Sequence, residues 1–401
     1  MSENRTGIFC ENVWKIYGPN PESVLEMANN GISKQEVLEE TGHVIAVKNA
    51  SFEVKENEAF VIMGLSGSGK STLVRLINRL IESTTGTITV DGSDVAQMDD
   101  NQLRELRRHK LSMVFQNFGL LPHRNVQDNV AFGLEIRNEH GDERQEKVLQ
   151  ALDLVGLKGW EKSRIHELSG GMQQRVGLAR AFASDPEIIL MDEPFSALDP
   201  LIRRQMQDEF ITLRARMQRT VVFITHDLDE ALKLGDRIAI MKDGEIVQIG
   251  TPQEIVTQPA DDYVSEFVKD VPLGSVLPVT SIMEEAPVVV MGDDTIEKTL
   301  EEMKEAKATV AYITESDGKL IGFTTMEKVI SSVRNGESKA REIAQDDCPS
   351  TNADTPSEEC LPLVAEGNMP VAILDDKRRL LGVVNRANLI SSLQTGEGNG
   401  N

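Results

Sequence analysis

A short stretch, residues 64–71, limits the folds open to this chain more than any other. It reads Gly-Leu-Ser-Gly-Ser-Gly-Lys-Ser and fits the phosphate-binding pattern G-x-x-x-x-G-K-[ST]. An apolar run predicts a buried strand at 59–63, and apolar residues at helical spacing predict a helix over 72–80. In such a strand–loop–helix unit, glycines let several backbone N–H groups point at one phosphate chain, and the helix N-terminus adds partial positive charge. The candidate phosphate ligands are Gly64, Ser66, Gly67, Ser68, Gly69, Lys70, Ser71 and Thr72.

Lys70 is expected to reach the β- and γ-phosphates of a nucleoside triphosphate, and Ser71 to bind Mg²⁺. The alternative is a glycine-rich turn that matches the pattern by chance. The loop by itself does not say what the energy of the nucleotide is used for.

Further apolar runs predict buried strands at 111–115, 187–193 and 220–225. Helical patterns separate them, at 102–110, 126–167, 169–184 and 201–217. Strands without polar alternation, separated by helices, indicate a parallel sheet covered on both faces. Hairpins at 86–92 and 237–249 and a helix near 252–268 complete the expected first domain, together with a mostly helical insert at 21–41 that carries a capping-box pattern from Ser33 to Glu36.

Polar residues stand where the predicted strands end. Asp192 and Glu193 follow one strand, and we expect Asp192 to bind Mg²⁺ and Glu193 to accept a proton from the attacking water. His226 follows the next strand and could contact the γ-phosphate or orient the water, and Gln116 could sense Mg²⁺ or the water. Each residue taken alone has a plainer interpretation: helix-capping acids, a structural histidine, a surface amide.

A second candidate anion site is the stretch Leu168-Ser169-Gly170-Gly171-Met172-Gln173. Ser169, Gly170 and Gly171 open a predicted helix, so their backbone N–H groups and the helix N-terminus can bind a phosphate. Taken alone, Ser-Gly-Gly is an ordinary N-cap and turn. It becomes informative because one chain now carries two phosphate-binding helix ends.

Composition narrows the possible partners. The formal net charge of −23 argues against a nucleic-acid partner, because phosphate backbones demand clustered Lys and Arg. Cys10, Cys348 and Cys360 are odd in number and form no C-x-x-C pair, which suits a reducing compartment. No apolar run approaches the length that crosses a bilayer, so any membrane role is expected to come through a partner.

The C-terminal third contains an internal repeat. Residues 311–330 align with 371–390, so that Gly322 and Gly382 stand 60 positions apart, and each copy reads strand, turn, strand, helix. Units this small bury their apolar faces poorly alone, so the two copies should pack together. We therefore expect a first domain at 1–270, a linker at 271–278, a second domain at 279–394 and a disordered tail at 395–401.

Together, the phosphate loop, Gln116, Leu168–Gln173, Asp192-Glu193, the run from Ser196 to Asp199, and His226 resemble the nucleotide-binding subunit of ATP-binding-cassette transporters. The resemblance implies an α/β fold, with a parallel-sheet core, a helical subdomain and an antiparallel β region. It implies ATP and Mg²⁺, the metal held by Ser71, Gln116 and Asp192. It also implies a head-to-tail homodimer in which Leu168–Gln173 act in trans, Asp199 bridges the two sites and Tyr17 stacks on adenine.

Within that family the chain resembles the ATPase subunit of glycine betaine/proline betaine importers. Three features carry this resemblance: the insert after Tyr17, the amino-acid sequence of residues 61–82, and the internal repeat. The repeat looks like a pair of cystathionine-β-synthase (CBS) motifs in a tandem α+β module. The implied partners are an integral membrane permease, reached through residues around 117–135 that include Phe118, Leu120 and Leu121, and a substrate-binding protein or domain. The implied location is peripheral, on the cytoplasmic side of the inner membrane.

The function implied is ATP-driven import of a compatible solute, regulated by the CBS module. We further predict that Lys377, Arg378 and Arg379 of the second repeat contact anionic lipid and hold the transporter off at low ionic strength, because salt shortens the reach of charge. A solvated hairpin turn is the alternative for this basic run. Alternatives for the whole chain are an importer of choline, carnitine or an amino acid, a non-transport ATPase of the same fold, and a nucleotide-binding module without turnover.

Overall fold

The chain forms two compact units in a computed structural model, Met1–Phe267 and Val268–Asn401. The structure describes residues 6–116, 119–196, 198–335, 337–366 and 369–394. The predicted tail at 395–401 and the predicted contact residue Phe118 lie outside these ranges. None of the described helices is both long and apolar enough to cross a membrane.

The strands of the first unit are β1 (Thr6–Tyr17), β2 (Val44–Lys55), β3 (Ala59–Met63), β4 (Thr85–Val90), β5 (Ser93–Asp94), β6 (Leu111–Val114), β7 (Ile188–Asp192), β8 (Thr220–Thr225), β9 (Arg237–Lys242) and β10 (Glu245–Gly250). Its α-helices are α1 (Leu25–Asn29), α2 (Lys34–Thr41), α3 (Lys70–Ile77), α4 (Asp100–Glu105), α5 (Val126–Val130), α6 (Phe132–Ile136), α7 (Gly141–Leu154), α8 (Gly170–Ala183), α9 (Pro200–Met217), α10 (Leu228–Leu234), α11 (Pro252–Thr257) and α12 (Asp262–Val268). Shorter 3-10 turns lie at Pro21–Val24 and Ile165–Glu167, and a π-helical turn at Leu106–Lys110.

The main sheet has the strand order β10-β9-β3-β8-β7-β6. Every pair from β9 to β6 is parallel, and β10 joins β9 as an antiparallel hairpin. The predicted parallel core is therefore confirmed. Asp192 of β7 lies opposite Ile224 of β8, and Met63 of β3 lies opposite Thr225, so these strands end at one edge of the sheet.

Apolar side chains fix that sheet. Phe60, Ile62, Leu190, Val222 and Ile224 are all buried in one cluster with residues from α3. Burying one such side chain stabilises a fold by roughly 1.5–3 kcal/mol. The cluster holds the strand ends in place, and with them the loops that follow.

A second sheet of order β2-β1-β4-β5 is antiparallel and packs on the same core. Between β1 and β2 runs the predicted helical insert, whose Val24, Ala28 and Val37 pack against Trp14 and Ile45. The capping box is confirmed at the start of α2: Ser33 Oγ accepts from Glu36 N, and the Glu36 carboxylate accepts from Ser33 N.

Two predicted helices differ in the structure. The helix expected near 252–268 is broken into α11 and α12, because Pro259 follows the end of α11 and disfavours helical geometry in the residue before it. The helix expected at 102–110 ends as an α-helix at Glu105 and continues as the π-helical turn, where Arg107 donates to the carbonyls of Asn78 and Arg79.

The second unit contains β11 (Val289–Met291), β12 (Val310–Thr314), β13 (Leu320–Thr325), β14 (Ser350–Asn352), β15 (Val371–Leu374) and β16 (Leu380–Val384). Its helices are α13 (Ile296–Glu305), α14 (Met326–Asn335), α15 (Leu361–Glu366) and α16 (Arg386–Gln394), with 3-10 turns at Leu273–Ser275, Val279–Ser281, Ala340–Ile343 and Ser357–Cys360. The segment at 271–278 hydrogen-bonds into this unit, since Ser357 donates to the carbonyls of Gly274 and Leu277.

The internal repeat is confirmed as strand, turn, strand and helix in both copies: β12-β13-α14 and β15-β16-α16. Each copy also begins with a short parallel strand, β11 or β14, that the sequence pattern did not indicate. The copies pack together as expected. Tyr312 is buried among Leu374 and Val383 of the other copy and donates its hydroxyl to Pro370 O at 3.0 Å.

The hairpin turns of the two copies are also joined. Leu320 N donates to Arg378 O at 3.0 Å, and Leu380 N donates to Gly318 O at 3.1 Å. The basic turn of the second repeat is therefore part of a backbone link between the repeats.

Candidate functional site

The phosphate-binding loop joins β3 to α3 at the carboxyl end of the main sheet. Gly69 has φ +102°, and a Cβ there would lie 2.1 Å from the carbonyl oxygen of Ala46. A Cβ on Gly64 would lie 2.2 Å from Met241 O. Only glycine fits at these two positions, because the backbone of neighbouring strands approaches the loop too closely for any side chain.

Lys70 begins α3 and is 5% exposed. Its Nζ donates to Gly64 O at 2.7 Å and to Leu65 O at 3.0 Å, which curls the loop around the ammonium. Burial lowers the pKa of Lys70, while the negative charges of Glu193 and Asp192 oppose that shift. The ammonium therefore lies inside the loop, within range of the negative charges of Glu193 and Asp192.

The hydroxyl of Ser68, buried in the same loop, has no hydrogen-bond partner among the described residues. A buried polar atom without a partner is costly, and a phosphate oxygen would satisfy it. Ser66, at the exposed tip of the loop, and Thr72, half-buried in the first turn of α3, complete the predicted ligand set on the same element.

Asp192 ends β7 fully buried. Its Oδ1 accepts from Ser71 Oγ at 2.8 Å, and its Oδ2 accepts from Arg75 at 3.2 Å. A serine hydroxyl and a carboxylate in contact provide the hard oxygen ligands that Mg²⁺ prefers, in a number that leaves the remaining positions to phosphate and water. The donor set therefore fits a magnesium ion held mainly by the nucleotide.

Glu193 has φ +46°, a left-handed conformation that is uncommon for a residue with a side chain and is often found at functional sites. Its Oε2 accepts from Gln116 Nε2 at 3.2 Å and lies 3.3 Å from His226 Nδ1. No hydrogen bond to Oε1 is present from the part of the chain that the structure describes. Gln116 thus binds one carboxylate oxygen, which also lies next to His226, and the described residues leave the other oxygen open.

Tyr17, the candidate for adenine stacking, ends β1 and is 41% exposed. Lys15 Nζ lies 4.9 Å from the centre of its ring. An exposed aromatic face at a strand end can stack with a base.

The stretch Leu168–Gln173 lies in a different place. Ser169 caps α8 by accepting from Met172 N at 3.3 Å, and Gln173 donates to the carbonyl oxygens of Ile165 and Leu168. Residues 169–172 line a groove of about 570 Å³, with Trp160 and Asp199 also on its walls. Asp199 is exposed, and its Oδ1 caps α9 by accepting from Leu201 and Ile202 N.

The structure thus brings Lys70, Ser71, Asp192, Glu193, Gln116 and His226 together at one sheet edge. In the described ranges, no hydrogen bond links that cluster to Leu168–Gln173 or Asp199. Sequence reasoning missed Arg75, which binds the carboxylate of Asp192. Its position four residues after Ser71 on a helix places both side chains on one face, and that spacing could have indicated it.

Two comparisons by sequence define the class of this chain. Residues 47–196 match the family model described as ABC transporter, and residues 279–335 and 340–395 match the CBS domain. The chain belongs to the ABC transporter family and is an ATPase subunit of it with a C-terminal pair of CBS domains.

Its relatives resemble it over nearly the whole length. The glycine betaine transport ATP-binding protein OpuAA of Bacillus subtilis (strain 168) is 47% identical, over 98% of this chain and 94% of that protein. The glycine betaine/proline betaine transport system ATP-binding protein ProV of Escherichia coli (strain K12) is 44% identical, over 96% of each. Among solved structures, a dimeric ATP-binding cassette in a post-hydrolysis state bound to ADP and Pi is 32% identical, with a TM-score of 0.53 over 61% of this chain and 98% of that one.

Proposed function

We propose that this chain is the ATP-hydrolysing subunit of an importer for a compatible solute of the glycine betaine/proline betaine class. The observation that carries the proposal is the near-full-length match, CBS pair included, to transport ATP-binding proteins for these solutes. No comparison favours the alternatives, namely choline, carnitine or amino-acid import, a non-transport ATPase, or a module without turnover.

The site geometry supports ATP hydrolysis in the following way. Backbone N–H groups of 64–71 bind the α- and β-phosphates, the ammonium of Lys70 binds the β- and γ-phosphates, and Tyr17 stacks on adenine. Glu193 accepts a proton from the attacking water at its open oxygen Oε1. Gln116 and His226 hold the other oxygen and so keep the carboxylate aimed at the water.

Ser71 and Asp192 would hold a magnesium ion, and the amide of Gln116 lies next to Glu193 at the same edge. When bound, the metal neutralises charge on the phosphates.

The second half of each site comes from a partner copy. The groove at Ser169–Met172 carries a helix N-terminus and stands apart from the loop in its own chain, as expected if it meets ATP held by another subunit. Head-to-tail pairing of two copies would complete two sites at once. Asp199 would bridge them with the carboxylate oxygen not used in capping α9.

We assign the membrane partner to a groove of about 360 Å³ in the first unit. Exposed Leu80, Phe115 and Ile136 line it, as do Arg104 and Arg108. A lining of apolar side chains and arginines fits a cytoplasmic helix of the permease, whose C-terminal carbonyls carry partial negative charge. The groove borders the predicted contact region, and such docking would place the chain at the cytoplasmic face of the inner membrane; a substrate-binding protein or domain would deliver the solute.

We assign regulation to the CBS pair at 279–394, which follows the proposed nucleotide-binding domain at 1–270 in the chain. Lys377, Arg378 and Arg379 are exposed in the β15–β16 turn, but Arg379 is paired with Asp375 at 2.7 Å. Because the ion pair with Asp375 offsets the charge of Arg379, Lys377 and Arg378 are the stronger candidates for contact with anionic lipid.

Uptake measured in reconstituted vesicles identifies the transported solute. Vesicles holding ATP, this chain and its membrane subunits should take up glycine betaine and proline betaine. If the vesicles take up neither betaine but take up choline or an amino acid efficiently, the transported solute is that compound and not a betaine. Failure of the chain to co-purify with any membrane subunit would favour a non-transport ATPase.

A further inference from the structure

The insert between β1 and β2 is rooted at the adenine end of the nucleotide site. It leaves the sheet directly after Tyr17 and returns at Val44, which pairs with Tyr17 across the two strands. His43, which is 6% exposed, links the two ends of the insert: its Nε2 lies 2.7 Å from Pro19 O and its Nδ1 lies 3.0 Å from Thr41 Oγ1. Both ends of the insert are thereby fixed next to the candidate stacking residue.

The other end of the insert reaches the phosphate-binding loop. Lys34 is the first residue of α2, and its Nζ donates to the carbonyl oxygen of Gly67 at 3.3 Å. The capping box from Ser33 to Glu36 fixes the turn that carries Lys34. The insert therefore spans from the adenine end of the site to the middle of the loop.

Among the described residues, the hydrogen-bond partner of the Lys34 ammonium is an uncharged group, the carbonyl oxygen of Gly67. No carboxylate lies within ion-pair distance of it in the described part of the chain, and the nearby Glu36 is engaged by the backbone N–H of Ser33. An ammonium has three donors, and the contact to Gly67 O uses one. In a chain of net charge −23, an uncompensated cation is thus held against the loop that receives the phosphates.

We propose that Lys34 is a nucleotide-contacting residue, whose ammonium binds an α- or β-phosphate oxygen while the insert covers that side of the loop. Gly67 lies in the backbone that cradles the α- and β-phosphates, whereas Glu193, Asp192 and the Lys70 side chain mark the γ-phosphate end. Lys34 therefore contributes equally to ATP and ADP binding. The proposal rests on the assignment of residues 64–71 as the nucleotide site.

The test is equilibrium binding of ATP and of ADP to the purified full chain, at low and at high KCl. Lys34→Gln should weaken both nucleotides about tenfold, the lower end of what a hydrogen bond to a charged group contributes. Lys34→Arg should retain most of the affinity, since a guanidinium also donates from a positive charge. The affinity of Lys34→Gln should also fall less steeply with salt than that of the unmodified chain, because one charge contact is missing.

Three control variants distinguish the different reasons for which nucleotide binding could change or stay unchanged. Lys233→Gln removes an equal charge from a surface pair with Asp208 and should leave binding unchanged. Glu36→Gln weakens the capping box but keeps the Lys34 charge. Should it reduce binding as much as Lys34→Gln does, the fold of the insert and not the ammonium would matter, and the proposal would be overturned.

Lys70→Ala tests the site itself. Loss of binding there, with Lys34→Gln binding normally, would refute only the role of Lys34. If Lys70→Ala binds nucleotide normally, residues 64–71 are not the nucleotide site, and both the proposed function and the role of Lys34 are refuted.

Discussion

Glu193→Gln isolates the proton-accepting step, because it changes charge and leaves size almost unaltered. Its Oε2 contacts with Gln116 and His226, at 3.2 and 3.3 Å, hold the side chain in place, and an amide can occupy the same space. The neighbouring Asp192–Ser71 contact belongs to a different carboxylate and should persist. The substitution therefore removes the basic oxygen Oε1 and little else.

The expected loss follows from the chemistry. A positioned general base contributes about 10²–10⁴ in rate, which corresponds to roughly 2.7–5.4 kcal/mol of transition-state stabilisation. We expect kcat for ATP hydrolysis to fall by that factor while ATP affinity stays within about threefold. ATP-bound dimers should then accumulate, which size-exclusion chromatography detects.

The matched control is Glu230→Gln. Glu230 lies on α10, is buried, and accepts from Thr225 and Gln207, and its hydrogen bonds do not involve Glu193. Burial raises the pKa of Glu230, and because it is not among the predicted site residues, Glu230→Gln should keep kcat within about tenfold of the unmodified chain. Turnover by Glu193→Gln within tenfold of the unmodified chain would refute the general-base assignment.

Three further outcomes are expected. Ser169→Arg should block ATPase activity by filling the groove at the start of α8, and mixing it with Lys70→Ala should partly restore activity, because such a dimer keeps one intact composite site; no recovery under proven subunit exchange would refute sharing across the interface. Gly69→Ala should destabilise the fold by about 1–3 kcal/mol and abolish nucleotide binding, since its Cβ would lie 2.1 Å from Ala46 O, whereas Gly67→Ala, strained by its φ of +82° but with open space around its Cβ, should lower the melting temperature less. Replacing Lys377, Arg378 and Arg379 by Ala should make uptake high at low internal KCl in vesicles of anionic lipid; an unchanged salt threshold would exclude these residues as the contact.

The sequence predicted well what depends on short-range pattern. The strand–loop–helix unit around residues 64–71, the capping box at Ser33 and the buried strands are each recognisable from a few neighbouring residues, because the interactions that form them are local. The gathering of Asp192, Glu193, His226 and Gln116 also followed, since the carboxyl ends of parallel strands share one edge. Their contact distances could not be obtained that way.

Contacts between distant residues were not predictable from pattern. Helical spacing places Arg75 on the same face as Ser71, but the sequence does not fix its distance to Asp192, and it gives no sign that Lys34 contacts Gly67, because long side chains find distant partners only once the chain has folded. The strands β11 and β14 were missed because three residues give too little alternation to recognise. The proposed action of Ser169 in trans depends on a second chain, and no pattern within one chain gives that geometry.

The two CBS repeats share a core and exchange backbone hydrogen bonds at Leu320 and Leu380. Each repeat has a core cluster of its own, and the shared cluster is covered only when both repeats are folded. A force or ligand acting at the basic turn would therefore reach the first repeat through the two backbone hydrogen bonds and through packed side chains. Regulation that reaches this module at one hairpin is consequently received by both.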